Sequence, residues 1–429
     1  MNVARIAGFV IASFFVAVPA TSQPLPTARP DRVGLAPERL NRLTEYFQNE
    51  IAEKRVPGTV MIVARKGRIA YFEALGTQDP ATGAPMAKDS IFRLWSMTKP
   101  FVSVATMVMV EEGKLSLSDP VSKYLPEFAK LEVSVEKLDA ETRKATYSNV
   151  PAKKQVTVRD LIRHTSGIPY EWLTANAPVR EAYEKAGLEP SEITSAEFAT
   201  RVAKMPLVHQ PGAAFEYGYS TDILGRVIEV ASGMRLAEIL EKRVFVPLGM
   251  RDTGFHIEDA RKGRLAQPYD TVPGTKTPVK LFDPTQKPAM DSGGGRGVGT
   301  ASDYVRFCQM LLNGGQLDGM RLLSRTTVRF MTSDHLGTAT AAELGPGELT
   351  FGTPGYTFGL GFGVRREAGG ASVPGSPGEY MWTGTFNTLF FVDPQEELIG
   401  IFMSVGAGNT IRMNHRRTFR QLVYQAIID

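Results

Sequence analysis

Apolar residues follow the helical period through the first and middle parts of the chain, whereas short apolar runs dominate the last part. Pro37 opens a predicted helix with Leu40 and Leu43 on one face, and Lys66-Gly67 joins two apolar runs into a predicted hairpin. Further helices are predicted at 96–112, 158–163, 196–204, 223–230, 236–244, 301–313 and the C-terminus, and strands at 59–64, 68–74, 359–364, 378–381, 389–392 and 398–405. This order indicates one sheet built from both ends of the chain, with helices inserted between them.

The chain is long enough for two regions, because its 429 residues exceed what one simple core usually holds. We expect an α+β fold. Residues 23–114 and 290–429 are predicted to form an antiparallel sheet flanked by helices, and residues 115–289 an inserted all-helical region. A functional site is expected between the two regions. Glycine and proline cluster at 265–295 and 333–357, where long loops form either walls or lids of a site, or plain surface excursions.

Composition and charge limit the possible function classes. The hydrophobic share of 43% and the charged share of 22% are typical of an ordinary globular protein. The net charge of +4 is spread without a long basic run, which argues against nucleic acid as a partner. Cys308 is the single cysteine, so no intrachain disulfide forms, and its apolar helical surroundings predict a core thiol.

Residues 1–22 have the features of a cleavable secretory signal. Arg5 supplies a positive charge, residues 6–17 are apolar but short for a membrane span, and Ala20 and Ser22 are small residues suited to cleavage before Gln23. An uncleaved anchor or a buried helix is the alternative. We expect a periplasmic or secreted protein that keeps no stable membrane anchor after cleavage.

Ser96 and Lys99 carry the most informative chemical signal. They stand three residues apart at a helix start that Pro100 marks, so their Cβ atoms share one face at about 5–6 Å. A serine hydroxyl needs a neighbour that takes its proton, and a desolvated lysine can do so. The helix N-terminus adds partial positive charge where negative charge develops. Such a pattern also arises by chance, so other motifs must support it.

Two later segments supply that support. Tyr217 and Tyr219 follow a turn and precede an apolar helix, which places Tyr217 at the helix mouth. Trp382-Thr383-Gly384-Thr385 precedes an apolar strand, and Gly384 is expected to let a ligand approach the backbone closely.

Together these segments resemble the active-site motifs of the serine β-lactamase and penicillin-binding-protein superfamily, and most closely the class C-related carboxylesterases called family VIII. Stretches 161–167, 247–250 and 297–303 extend the resemblance over nearly the whole chain after the leader. The resemblance implies a class C β-lactamase-like fold, a hydrolase that acts on a small ester, and no metal or organic cofactor. It assigns Ser96 as nucleophile, Lys99 and Tyr217 as the proton-shuttling pair, the backbone N–H groups of Ser96 and Thr385 as oxyanion hole, and Trp382, Gly384 and Tyr219 as substrate-binding residues.

Two departures from the superfamily pattern bear on the substrate. β-Lactamases usually have Tyr-x-Asn and Lys-Thr-Gly, whereas this chain has Tyr219 and Trp382 in place of the Asn and the Lys. That Lys normally binds a carboxylate, and a tryptophan offers an apolar face instead. We therefore expect cleavage of short-to-medium acyl esters, with weak β-lactam turnover as a side activity.

Several alternatives stay open at this stage. The same scaffold supports a β-lactamase or D,D-peptidase, an acyltransferase acting on a small alcohol, or a non-catalytic cell-wall sensor. A Ser-His-Asp hydrolase with Ser220 as its nucleophile is a further alternative. Residues 218–222 match the nucleophile-elbow pattern except for its last glycine. The histidines lack metal-ligand spacing, so His164 is interpreted as structural. Asp222 is interpreted as a helix-turn or supporting residue, and Trp172 either as a packed loop aromatic or as part of the acyl pocket.

Overall fold

A computed structural model of the protein describes residues 24–337, 339–341, 344–406 and 408–429. The predicted signal over residues 1–22 lies outside these ranges, so export stays a prediction. Among the described residues, no helix has both the length and the apolar character needed to cross a membrane.

The helices and strands of the described ranges are as follows. The α-helices are α1 Pro37–Ala52, α2 Lys99–Glu111, α3 Val158–Ile162, α4 Ala177–Lys185, α5 Ser195–Ala203, α6 Ser220–Ser232, α7 Leu236–Leu240, α8 Val246–Leu248, α9 Ala301–Leu312, α10 Arg325–Met331, α11 Pro346–Phe351 and α12 Asn409–Tyr424. The strands are β1 Gly58–Arg65, β2 Arg68–Asp79, β3 Ala84–Pro85, β4 Phe92–Arg93, β5 Glu132–Leu138, β6 Ala145–Pro151, β7 Ala214–Phe215, β8 Val298–Gly299, β9 Gln316–Leu317, β10 Met320–Arg321, β11 Thr340–Ala341, β12 Tyr356–Phe358, β13 Gly363–Arg365, β14 Tyr380–Gly384, β15 Thr388–Asp393 and β16 Leu398–Ser404.

The core of the molecule is an eight-stranded antiparallel sheet in the order β12-β13-β14-β15-β16-β1-β2-β3. All residues of the central strands β1 and β16 are buried. Because successive side chains of a strand point to opposite faces, both faces of the sheet must be covered there. Helix α9 packs against β1 and β16, α1 against β2, and α12 against β16. The expectation of one antiparallel sheet built from both ends of the chain and flanked by helices is confirmed.

One predicted strand is wrong. Residues 359–362 form the turn between β12 and β13, and only residues 363 and 364 of the predicted strand lie in β13. Gly361 lies in this turn with a φ of +97°, a conformation that side chains rarely tolerate. A Cβ at this position would also clash with the Ser103 hydroxyl of helix α2. Glycine therefore allows both the turn and the close approach of α2. The run of apolar residues on both sides hides this turn in the sequence.

The inserted region is mostly helical but not all-helical. Strands β5 and β6 form a hairpin in it, with Val133 paired to Val150. Most hairpin residues are exposed, and Val135 and Leu138 are among the exposed apolar side chains. A strand pair with little buried face produces a weak hydrophobic alternation, so it was not predicted. The domain boundaries at residues 114 and 290 stay a prediction.

Helix α12 is attached to the sheet by a buried ion pair. The Arg420 guanidinium contacts the Glu379 carboxylate, and neither side chain is exposed to solvent. The same guanidinium lies 4.8 Å from the ring centre of Phe391 and 5.0 Å from that of Tyr424. Removing one partner of such a pair leaves an uncompensated buried charge, which typically costs about 3–5 kcal/mol.

We expect Arg420→Met to lower the thermal melting temperature markedly, because Glu379 then stays buried without its cation. The control is Asp31→Asn, which breaks the exposed Arg29–Asp31 pair and should change the melting temperature little. Adding Glu379→Gln to Arg420→Met should recover part of the loss. Equal melting of the Arg420→Met and Asp31→Asn proteins would contradict this role for the pair.

Candidate active site

Ser96 lies in a tight turn that leads directly into α2. The turn is a 3-10 helix over Trp95–Thr98, and Ser96 is partly exposed while the following helix is buried. Trp95 has a φ of +51°, which is unusual for a residue other than glycine. Its indole stacks on Phe386 at 4.9 Å and contacts Phe282 edge-on at 5.1 Å. Aromatic packing thus maintains a strained backbone immediately before Ser96, a feature that is common at functional sites.

The Lys99 ammonium group connects three parts of the site. Its Nζ donates to Ser96 Oγ at 3.2 Å, to the Tyr170 hydroxyl at 3.1 Å and to the Gly294 carbonyl oxygen at 2.6 Å. The side chain is only 1% exposed. The predicted neighbourhood of Ser96 and Lys99 is therefore present, with a direct contact between their polar atoms.

Tyr217 approaches Lys99 with the face of its ring. The Lys99 Nζ is 4.7 Å from the centre of the Tyr217 ring. The Tyr217 hydroxyl oxygen accepts a hydrogen bond from the Trp382 indole Nε1 at 3.2 Å. The imidazole of His164 packs on Tyr217 at 4.8 Å, and burial, followed by the Lys99 charge, lowers the pKa of His164 well below its usual value. His164 is thus a neutral packing residue.

Tyr170 was missed as a site residue in the sequence. Its hydroxyl contacts Lys99, yet burial, followed by the Asp222 charge, raises its pKa well above the usual value. The signal for it was its place in the loop that follows the 161–167 stretch, but a tyrosine in a loop has many possible roles.

Asp222 is also buried, and it accepts from Ser292 Oγ at 2.6 Å and from the Gly294 N–H at 3.0 Å. It therefore positions the Gly294 residue, whose carbonyl oxygen accepts from Lys99.

The peptide unit between Gly384 and Thr385 lies beside the Ser96 turn. A Cβ on Gly384 would meet the Leu94 carbonyl oxygen at 2.4 Å, so glycine is required for the strand to approach the turn. Arg416 Nη2 donates to the Gly384 carbonyl oxygen at 2.5 Å, and Arg412 Nη1 donates to the Thr385 carbonyl oxygen at 2.5 Å. Burial, followed by the Arg412 charge, lowers the pKa of Arg416 to about 9, so it remains a cation at neutral pH. These bonds orient the peptide whose N–H is the predicted oxyanion donor.

A cavity of about 430 Å³ opens over Ser96. Ser96, Tyr217, Tyr219 and Thr385 line it, so the structure brings these predicted site residues together. Trp172 also lines it and is 63% exposed, which favours the pocket interpretation over that of a packed loop aromatic.

Trp382 and Gly384 do not line this cavity. Trp382 is 2% exposed, and its ring packs between Phe358 and Tyr217. We expected the face of Trp382 to contact an acyl chain. In the structure its indole N–H donates to Tyr217 and its ring packs in the core, so its face is not available to a substrate. Gly384 likewise allows close approach of the Ser96 turn and not, as expected, of a ligand.

The rival nucleophile, Ser220, does not line the cavity. Ser220 is fully buried at the start of α6, and its hydroxyl bonds to Ser166 Oγ at 2.8 Å. Among the described residues, no group of three or more His, Cys, Asp or Glu side chains is placed to hold a metal ion. Cys308 is fully buried in α9, where burial raises the pKa of its thiol.

Comparison with known proteins places this site in a family. The Beta-lactamase family profile matches residues 43–425. Esterase EstB of Burkholderia gladioli is 32% identical over 376 residues, which cover 82% of this chain and 86% of EstB. Lovastatin esterase of Penicillium rubens is 29% identical over 402 residues, covering 88% of this chain and 97% of that protein.

A solved structure gives the same result. EstCE1, described as a hydrolase with promiscuous acyltransferase activity, superimposes with a TM-score of 0.72 at 28% identity, covering 90% of this chain and 99% of EstCE1. The resemblance to class C-related family VIII esterases is thereby confirmed. The chain belongs to the beta-lactamase family and is a serine hydrolase of its esterase-like branch.

Proposed function

We propose that the protein is a carboxylesterase that cleaves esters with short-to-medium acyl chains through an acyl-enzyme on Ser96. The observation that carries this proposal is the Lys99 ammonium nitrogen 3.2 Å from the Ser96 hydroxyl oxygen, at a cavity that Ser96 lines. A nucleophile beside a buried proton-transfer group and a cavity is what acyl transfer requires.

The proton-transfer pair is Lys99 and Tyr217. Lys99 Nζ faces three acceptors, which matches the three donors of an ammonium group. With its N–H groups directed at these acceptors, Lys99 supplies positive charge beside the reacting oxygens, and we assign Tyr217 as the base that takes the serine proton. The Lys99 Nζ lies 4.7 Å from the centre of the Tyr217 ring, and the Trp382 indole donates to the Tyr217 oxygen, so both place positive charge or a donor beside the group assigned to receive the proton. Tyr170 is less suited to this task, since burial raises its pKa and so favours its neutral form.

The reaction proceeds in two balanced halves. The Ser96 proton passes to the Tyr217 oxygen while Oγ bonds to the ester carbonyl carbon, and the carbonyl oxygen becomes negative. The Ser96 and Thr385 N–H groups bind this oxyanion, and such a donor typically contributes about 2.7–4 kcal/mol. The bond to the alcohol oxygen then breaks, and Tyr217 returns the proton to the leaving alcohol. Water repeats these steps on the acyl-enzyme and releases the acid.

The charge of the cavity supports esters without a carboxylate over β-lactams and peptides that carry one. Four carboxylates line the cavity, from Glu171, Glu184, Glu189 and Asp222, against the single guanidinium of Arg296. Trp382 also stands where β-lactamases carry a carboxylate-binding lysine. A substrate carboxylate is therefore repelled. Weak β-lactam turnover remains compatible with the acylation groups, and a sensor without catalysis would not need them.

Transfer of the acyl group to a small alcohol is a second candidate. The supporting observation is the likeness to EstCE1, whose description includes promiscuous acyltransferase activity. The same acyl-enzyme serves both reactions, and only the acceptor oxygen differs.

We place this activity in the periplasm or outside the cell. The support is the signal-like pattern of residues 1–22, with its positive start, short apolar run and small residues near position 22.

A phosphonate ester that mimics the acyl-transfer transition state should add its mass to the peptide that contains Ser96. The Ser96→Ala protein should stay unlabelled, and Ser220→Ala should label normally because Ser220 is buried against Ser166. Mass spectrometry of the digested protein provides the measurement. Label on Ser220 would overturn the mechanism.

We expect Lys99→Ala and Tyr217→Phe each to lower kcat for p-nitrophenyl butyrate by about 10²–10⁴-fold, the usual worth of proton transfer, because Tyr217 takes the serine proton and Lys99 supplies the positive charge that the transfer needs. Tyr170→Phe should lower kcat less, by about tenfold, because it removes one hydrogen-bond acceptor of Lys99 and leaves the base in place. Thermal melting controls for folding. If Tyr217→Phe keeps near-normal kcat and Tyr170→Phe does not, the base is Tyr170 and our assignment is wrong.

The wild-type protein should show a higher kcat/KM for p-nitrophenyl butyrate than for a chromogenic cephalosporin. A wild-type preference for the cephalosporin would replace the esterase assignment by a β-lactamase.

A further inference from the structure

One part of the cavity wall consists of aromatic rings, which we call the aromatic wall: Tyr170, Trp172, Tyr183 and Tyr219. Trp172 stacks on Tyr170 at 4.3 Å with 15° between the ring planes. Tyr219 contacts Tyr170 edge-on at 4.5 Å. Ring faces attract cations through their quadrupole, and sets of such rings bind ammonium groups in other proteins. Aromatic rings alone also suit a neutral apolar group, so the charge at the wall decides between the two.

Two of the four cavity carboxylates are already compensated. The Glu189 carboxylate pairs with the Arg296 guanidinium. Asp222 accepts hydrogen bonds from Ser292 Oγ and the Gly294 N–H, as described above. These two carboxylates therefore have no need of a ligand.

The other two carboxylates have no cation. Glu171 receives one hydrogen bond, from the Tyr219 hydroxyl at 3.0 Å, and Glu184 is exposed at the cavity. Neither forms an ion pair with any residue of the described ranges. Burial raises the pKa of Glu171, and the Glu184 charge adds to this effect. A ligand cation at the wall would offset both effects. Neither carboxylate is compensated by a direct ion pair within the described ranges, and the cation at this wall, Lys99, is bonded to Tyr170 and to neither glutamate.

Two buried polar groups at the cavity, which can donate to the oxygens of an ester, have no hydrogen-bond partner among the described residues. The Tyr183 side chain is 2% exposed, and its hydroxyl has no hydrogen-bond partner among the described residues. The Trp95 indole nitrogen, at another point of the cavity lining, is likewise buried and unpartnered. An unsatisfied buried polar group costs about 1–3 kcal/mol, so native proteins usually satisfy it, often with a ligand or water.

We propose that the aromatic wall, with Glu171 and Glu184, binds an alkylammonium group, so that the preferred substrates are esters that carry a positive charge. This inference rests on the proposed esterase function and adds the charge class of its substrate. The rings contact the alkyl groups around the nitrogen, and the two carboxylates compensate the charge. A compact ammonium ester also fits a cavity of about 430 Å³.

Inhibition by two isosteric alcohols tests the proposal. Choline and 3,3-dimethylbutan-1-ol have the same shape and differ in charge, and each is added to the hydrolysis of p-nitrophenyl butyrate. We expect choline to inhibit competitively with an inhibition constant about tenfold lower than that of the neutral alcohol. Butyrylcholine should likewise show a higher kcat/KM than 3,3-dimethylbutyl butyrate if the leaving alcohol carries the charge. Equal inhibition by the two alcohols would overturn the proposal.

Variants locate the effect. Glu171→Gln combined with Glu184→Gln should remove the difference between the two alcohols. Glu181→Gln is the matched control on the same helix α4, because Glu181 pairs with Lys185 away from the cavity lining, and it should keep the difference. A double variant that keeps the full difference would show that the two carboxylates do not bind the cation.

Failure of this inference is separable from failure of the esterase function. A protein that hydrolyses p-nitrophenyl butyrate but treats both alcohols alike is an esterase without the ammonium subsite. A protein that hydrolyses no ester disproves the proposed function. In that case, calorimetric titration of the Ser96→Ala protein with choline and with the neutral alcohol still measures the charge preference directly.

Discussion

The buried ammonium group of Lys99 is the interaction on which the rest of the site depends. A cation that is 1% exposed loses its hydration, a cost of several kcal/mol that only well-placed acceptors offset. Those acceptors come from separate parts of the chain: Ser96 one turn away, Tyr170 in the inserted region, and Gly294 in the loop before α9. The sheet region and the inserted region must therefore both be in place before Lys99 is satisfied. The packing of the two regions and the contact between Lys99 and the Ser96 hydroxyl therefore stabilise each other.

The groups around Lys99 are arranged so that its charge is balanced without being cancelled by a direct ion pair. Asp222 is near enough for its charge to interact with Lys99, yet its oxygens bind Ser292 and the Gly294 N–H. Burial keeps its pKa raised, while the Lys99 charge lowers it. His164 adds no second cation, since burial lowers its pKa. The ammonium group can thus interact with Ser96, Tyr170 and Tyr217, because no carboxylate of the described residues forms a direct ion pair with it.

Much of the site could be predicted because its key residues lie in short local motifs. Ser96 and Lys99 share one helical turn, and Tyr217 and Thr385 each stand at the boundary of an apolar element, so the spacing shows in the sequence. The Gly294 carbonyl could not be predicted, because a backbone oxygen leaves no residue signature. Trp382 was expected to face the cavity, since its β-lactamase counterpart binds substrate, but an indole is large enough to reach the core and Tyr217 instead. The β5–β6 hairpin was missed for a different reason, since its exposed strands lack the alternation that reveals a half-buried strand.

The bond from Arg416 to the Gly384 carbonyl has a consequence for how catalytic power is distributed along the chain. A peptide group is conjugated, so a cation at its oxygen draws electron density from its nitrogen and makes the N–H on Thr385 more acidic. The last helix thereby acts as an electron-withdrawing substituent on the proposed oxyanion donor. Hundreds of residues separate that helix from Ser96, the proposed nucleophile. A fragment that lost it would keep the serine, the lysine and both tyrosines, and would still have an electronically weaker site.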